Sequence, residues 1–111
     1  MQLHQVNWDG IEWTPVRGGL ERKTFTGGGA TLALHRIQPG HELLPHAHHY
    51  EQIVYMLKGT AIFHVAEEAA RLGPGNLIVI PPNVVHYIEV VGEEEVLELD
   101  VFTPQRPEYG G

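Results

Sequence analysis

The sequence predicts an all-β domain, an antiparallel sandwich or barrel, and three features predict it. Helical periodicity is nearly absent along the chain. Short apolar or alternating runs stand in its place, of the length expected of strands, about 4–8 residues. Glycine and proline punctuate those runs at regular spacing, as turns do in sandwiches and barrels. A chain of 111 residues can build one hydrophobic core and not two, so residues 1–111 are expected to form a single domain.

Taken in order, the stretch up to Gly19 has no clear pattern. Trp8, Ile11 and Trp13 are expected to seal one end of the core or an oligomer contact. Strand patterns begin with "GGGATLALHRIQPG" and continue with "QIVYMLKG". Lys58-Gly59 has the chemistry of a hairpin turn into the next run, "TAIFHVAEE". The piece from Glu67 to Leu72 is the one helix-compatible stretch, and it is too short to assign as a helix. Gly73-Pro74-Gly75 forms a tight turn into "NLIVIPPN". The last two strands, "HYIEVV" and "VLELDVFTP", flank Gly92 and the run Glu93-Glu94-Glu95, read as a solvated hairpin loop. Gly110-Gly111 is expected to be a frayed end. There is no repeat, linker or low-complexity segment.

Composition excludes several classes. Net charge of −7 with no Lys/Arg cluster beyond Arg22-Lys23 argues against nucleic acid, whose phosphates reward basic clusters. It argues equally against an anionic membrane surface. With no cysteine, disulfides, thiolate metal sites and cysteine nucleophiles are impossible. The stretch "MQLHQVNWDG" lacks a signal-peptide pattern and no apolar run reaches membrane-spanning length, so the expected setting is the cytoplasm.

Eight histidines are many for this length, and "PHAHHYEQIVYMLKG" holds three of them. Along an extended strand, residues i and i+2 share a face. His46 and His48 then share one, and His49 and Glu51 fall on the other. Keeping parity, the next oxygen-bearing amide or carboxylate on the histidine face is Gln52, not Glu51, unless a bulge intervenes. His86, after the restricted Pro-Pro-Asn turn, is a candidate for a third imidazole. Three neutral imidazoles and one oxygen suit a single divalent ion: zinc, nickel, iron(II), manganese or copper.

The spacing of these residues carries a resemblance. The chain has Gly40, five residues, His46, one, His48, three, Gln52, six, Gly59; it then has Gly75, five, Pro81, one, Asn83, two, His86. The two patterns resemble the paired motifs of the cupin superfamily, with the short gap of small bacterial cupins, and the likeness covers about residues 31–102. It implies a double-stranded β-helix, a jelly-roll barrel, holding a metal through His46, His48, position 52 and His86. The chain departs from the pattern at Gln52, where Glu is usual, at Asn83, where Gly is usual, and at Val90, where Asn is usual. Asn also tolerates left-handed backbone. A neutral amide leaves the charge of the ion uncompensated, which favours Lewis-acid work over oxygen activation.

The tail "LELDVFTPQRPEY" extends the likeness. Its Asp-x-Phe-Thr-Pro-x-Arg pattern resembles the end of the KdgF-like cupins, which act on Δ4,5-unsaturated uronates. The resemblance implies metal ligands at His46, His48, Gln52 and His86, and functional roles for Asp100, Phe102 and Arg106. In such a site Asp100 would handle a proton, Phe102 would shape an apolar wall, and Arg106 would clamp a substrate carboxylate. Alternation puts Val96, Glu98, Asp100 and Phe102 on one face and Leu97, Leu99 and Val101 on the other, without saying which is interior.

His35, on a plausible inward face with Ala33 and Ile37, is a further ligand, a general base or a buried core histidine. Met56, Tyr55, Phe63 and Tyr87 are expected in the pocket wall or the core, and His64 is ambiguous. His4, His41 and His49 are expected at the surface, and Glu51 there or beside a ligand. The expected function is a metal-dependent isomerase or ring-opening enzyme acting on an unsaturated uronate or similar small carboxylated sugar acid. The alternatives are a cupin dioxygenase or polyketide cyclase acting on an aromatic substrate, or a non-enzymatic small-molecule-binding module. Homodimerisation is expected, because an isolated small barrel leaves sheet edges and apolar outer faces exposed.

Overall fold

Nine antiparallel strands make two sheets in a computed structural model that describes residues 3–109. The larger sheet contains β1 (Thr14–Arg17), β2 (Leu20–Thr26), β3 (Thr31–Ile37), β9 (Val96–Thr103), β4 (Glu51–Lys58) and β7 (Leu77–Ile80), in that spatial order. The smaller contains β6 (Glu68–Leu72), β5 (Ala61–Val65) and β8 (His86–Val90). Together they form a jelly-roll-like β sandwich. Short 3-10 turns at Trp8–Gly10 and Pro107–Tyr109 are the helical elements among the described residues. No helix there is long and apolar enough to cross a membrane. Gly110-Gly111 lies outside the described residues.

The alternation visible in the sequence becomes burial. Val96, Glu98, Asp100 and Phe102 point inward from β9, and Gln52, Val54 and Met56 from β4. Register aligns these into rows: Thr31–Phe102–Gln52–Ile80, then Ala33–Asp100–Val54–Ile78, then His35–Glu98–Met56, then Ile37–Val96. Inward residues around Val54, Met56, Leu72, Ile80 and Val96 form the apolar core.

Several expectations need correction. Lys58-Gly59 and Gly92–Glu95 are not hairpin loops; each carries the chain from one sheet to the other, because their flanking strands pair elsewhere, and the tight turn expected at Gly73-Pro74-Gly75, closed by Asn76 N–H donating to the Gly73 carbonyl, makes a third such crossing. Gly59 is tightly constrained, with φ of +82° and an added Cβ only 2.5 Å from the Glu95 carbonyl oxygen. The stretch from Glu67 to Leu72 is mostly strand β6. Tyr55 is 38% exposed, so it is neither pocket nor core. Neighbours on a strand face opposite ways, and Met56 takes the inward position, fully buried in the core.

Conversely, His41 is buried and not at the surface. Its Nε2–H donates to the Ile88 carbonyl at 3.0 Å, and it packs beneath Gly19, where a Cβ would come within 2.9 Å of its own. His64 stacks on Tyr87 at 4.3 Å and pairs with Glu89. His4 and His49 are exposed, as is Glu51. Trp8 and Trp13 cover the outside of β2–β3, where Lys23 Nζ donates to the Trp8 carbonyl and both Lys23 and Arg36 sit over the Trp13 ring. Outward on β4 and β7, Tyr55, Leu57, Leu77 and Val79 form an exposed apolar strip at a sheet edge.

Candidate metal centre

The segment from His46 to Tyr50 is not a strand, yet its side chains alternate between half-buried or buried and exposed. What holds it is β8. His46 and His86 exchange two backbone hydrogen bonds, and the Asn83 amide donates to the His48 carbonyl at 2.7 Å. Asn83 sits at φ of 65°, the left-handed conformation that glycine or asparagine accepts most readily. These stitches bring His46, His48 and His86 together, with one candidate ligand atom from each within 4.8 Å of the others. Gln52 enters from the start of β4, and its Oε1 lies 3.0 Å from His48 Nε2.

Hydrogen bonds fix the ring tautomers. His46 Nδ1 faces the Leu44 carbonyl at 2.7 Å, His48 Nδ1 that of Tyr50 at 3.0 Å, and His86 Nδ1 that of Val84 at 2.8 Å. A carbonyl only accepts, so each Nδ1 carries the proton and each Nε2 presents a lone pair. This is the outer support that metal-binding histidines use. Burial pushes the basicity of His46 down and that of His86 further, to about 4, which keeps the rings neutral.

The lone pairs have no protein answer. His48 Nε2 and Gln52 Oε1 are both acceptors in this arrangement, facing each other. Rotating the amide removes that conflict but turns its oxygen toward Asp100, which accepts a hydrogen bond from Gln52. A cation between the histidines and the Gln52 oxygen resolves both. His86 Nε2 is also buried with no hydrogen-bond partner. The three imidazoles and the amide therefore fit a divalent ion.

Beside this group lies a second cluster in the same cavity. His35 Nδ1 is 3.0 Å from both Glu98 Oε1 and Asp100 Oδ2, and Arg22 Nε donates to His35 Nε2 at 3.1 Å. Burial and the neighbouring Asp100 raise the Glu98 carboxyl well above the usual range. Burial also pushes Asp100 up, but hydrogen bonds from Glu98, His35 and Gln52 outweigh it and hold Asp100 low. Glu98 therefore carries the proton and Asp100 the charge.

Phe102 is fully buried, edge-on to His48 at 5.5 Å, and Phe63 lines the cavity from the opposite sheet. Arg106 reaches the same space from the tail. Its backbone N–H donates to Thr31 Oγ1, its Nε donates to Glu108 Oε2, and its guanidinium lies over Tyr109 at 4.0 Å. Its Nη1 is buried without a partner. Arg17 and Arg22 also line the cavity; sequence reasoning missed both because they belong to no motif, in strands whose pattern was unclear.

Apart from His35 Nδ1, which has its two carboxylate neighbours at 3.0 Å, the buried side-chain polar atoms without partners among the described residues are four, and all belong to lining residues of this one cavity: His86 Nε2, Glu98 Oε2, Asp100 Oδ1 and Arg106 Nη1. Native interiors leave few such atoms, and each asks for an explanation. Their concentration here makes this cavity the candidate binding site.

Comparison with known proteins agrees on the fold. A model of the cupin domain matches residues 33–102. An RmlC-like cupin from Shewanella frigidimarina is 24% identical, with 97% of this chain and 96% of that one covered at a TM-score of 0.86. KdgF from Halomonas sp. is 26% identical, covering 90% of this chain and 94% of its own at 0.82. The polyketide cyclase RemF from Streptomyces resistomycificus is 21% identical, covering 96% and 82% at 0.79. No curated protein matches.

Proposed function

The chain belongs to the cupin family, and from that premise we propose that it is a metal-dependent enzyme that opens or isomerises an unsaturated uronate or a similar small sugar acid. One observation carries the reading: the buried, unpartnered polar side-chain atoms among the described residues belong to residues lining one cavity, and they include the His86 Nε2 lone pair, carboxyl oxygens of Glu98 and Asp100 and an Arg106 guanidinium N–H. His46, His48, Gln52 and His86 would hold one divalent ion, zinc, nickel, iron(II) or manganese. When bound, that ion supplies Lewis-acid polarisation of a substrate oxygen.

The remaining work falls to the chain. Arg106 offers its free Nη1–H to a substrate carboxylate, and Arg17 and Arg22 make the surrounding field favourable to an anion. Asp100, ionised and adjacent to a proton-bearing Glu98, accepts a proton at its unpartnered Oδ1. Phe102 and Phe63 exclude water from opposite sheets of the cavity. The likeness to KdgF at 26% identity supports the choice of substrate. The homodimer expected from sequence remains part of the proposal, supported by the exposed Tyr55–Leu57–Leu77–Val79 strip.

The test is spectroscopic. Metal-loaded protein mixed with a Δ4,5-unsaturated uronate is expected to bleach the absorbance of the conjugated double bond, and Asp100→Ala to stop the bleaching with metal still bound. Unchanged absorbance with wild-type protein under every metal named above would end the substrate assignment; iron(II)-dependent oxygen uptake on an aromatic substrate would replace it with the dioxygenase alternative.

A further inference from the structure

The cluster of His35, Glu98 and Asp100 has two chemical readings. Its three side chains are fully inside the sandwich and bring ligand atoms within 4.8 Å of one another, the geometry of a second metal site. It also has the makings of a proton-holding network. Arg22 decides between them. A guanidinium has five N–H donors and no acceptor, and it stays protonated in proteins. Because Arg22 Nε donates to His35 Nε2 at 3.1 Å, that nitrogen holds a lone pair. A neutral imidazole then carries its proton on Nδ1. The atom facing Glu98 and Asp100 is thus an N–H and not a ligand lone pair, which rules out a cation held through it.

Fold register makes this arrangement rigid. Arg22 pairs with His35 across β2–β3, and His35 pairs with Glu98 across β3–β9, so the three stand in one row of the sheet. The Arg22 guanidinium is held from its other side by the Tyr109 ring at 3.8 Å. At the far end, two carboxyl groups each place an oxygen 3.0 Å from the same Nδ1. Two carboxylates so close cannot both ionise, so one keeps a proton.

We infer that Arg22 and His35 are positioning residues for Asp100: Arg22 fixes the imidazole as its Nδ1–H tautomer, and that N–H holds the Asp100–Glu98 pair so that Asp100 Oδ1 stays free toward the cavity. The inference rests on the proposed role of Asp100, but its geometry is independent of any particular substrate. The Nδ1–H form is the less common one for a free imidazole, so its presence is diagnostic.

Long-range ¹⁵N–¹H correlation on zinc-loaded, histidine-labelled protein reads the tautomer directly. A protonated Nδ1 and bare Nε2 at His35 support the inference; a protonated Nε2, or a second equivalent of zinc bound through Nδ1, overturns it. Positioning is tested by replacing the ring. His35→Asn keeps an N–H donor near the Nδ1 position, and His35→Leu removes it. The Asp100 carboxyl ¹³C shift is expected to stay near wild type in His35→Asn and to move in His35→Leu; equal movement in both overturns the positioning role. In turnover of the uronate, His35→Leu is expected to lower kcat by about 10–100-fold with KM and zinc content little changed, as losing an outer partner of a functional group does. His35→Asn should recover most of that loss. If wild-type protein leaves the uronate untouched while the tautomer and ¹³C shifts come out as expected, the substrate assignment falls and the positioning network stands.

Discussion

Two interiors of opposite character lie side by side across the same rows of the larger sheet. From β4 and β7, Val54, Met56 and Ile80 join Leu72 and Val96 in a dry apolar core. In those rows β3 and β9 turn His35, Glu98 and Asp100 inward, with Gln52 at the start of β4 and with Phe102 and Tyr50 closing the space. β9 alone runs from Val96 through Glu98 and Asp100 to Phe102, two residues at a time. The apolar side chains have no donors or acceptors to satisfy, so they contribute stability. The polar group leaves lone pairs and an N–H unanswered, each costing on the order of 1–3 kcal/mol when buried. A fold keeps such a cost where binding a ligand relieves it.

The contrast can be broken from either end. The largest effect is expected from His48→Ala, which removes an imidazole and its facing of lone pairs with Gln52. Zinc affinity, measured by competition with a chromogenic chelator, should fall by orders of magnitude and turnover with it, while the melting temperature of the metal-free protein stays close to wild type. A large loss of metal-free stability would mean that the histidine group is part of the structural core. Leu72→Ala should do the reverse. It empties a buried position away from the metal group, and the expected loss is about 2–5 kcal/mol in denaturant titration. Zinc affinity of the fraction that stays folded should be unchanged.

How much of this was legible beforehand follows the same division. Strands β4, β7 and β9 bury alternate residues, and alternation is what a sequence displays. β2 hid itself because both its faces are covered: Leu20 and Arg22 face inward, while Lys23 is sealed outside by Trp8 and Trp13. Turn chemistry at Gly59 was visible, but a turn does not state which sheet the next strand joins. At the site, strand parity nominated Gln52 over Glu51 although the histidine segment is no strand; the burial alternates there because β8 stitches the backbone. Parity put His46 and His48 on one face, and the grouping of both with His86 came only as what the resemblance to the cupin motifs implies. Arg22 was not legible at all, since its part depends on standing across from His35, a matter of register. His41 was misjudged because it lies in a loop, where nothing local signals burial.

That misjudged histidine yields the smallest prediction and one that belongs to neither interior. His41 is held neutral: burial lowers its pKa below the usual value near 6.5, and nearby Arg17 adds to that, while its hydrogen bond to the Ile88 carbonyl and the charge of Glu89 pull the other way without prevailing. The unfolded chain therefore takes up a proton at His41 before the folded one does. Between the lowered folded value and 6.5 the unfolded state binds more protons, so stability rises with pH there. Stability contributed by His41 is complete above the ordinary histidine range and drains away as pH falls through it. His41→Gln keeps an N–H donor within reach of the Ile88 carbonyl and removes the titration. Denaturant midpoints measured from pH 8 down to pH 5 on metal-free protein should decline less steeply in the variant than in wild type. Parallel declines would show that the acid sensitivity of the fold arises elsewhere, and the ring would then be no more than packing beneath Gly19.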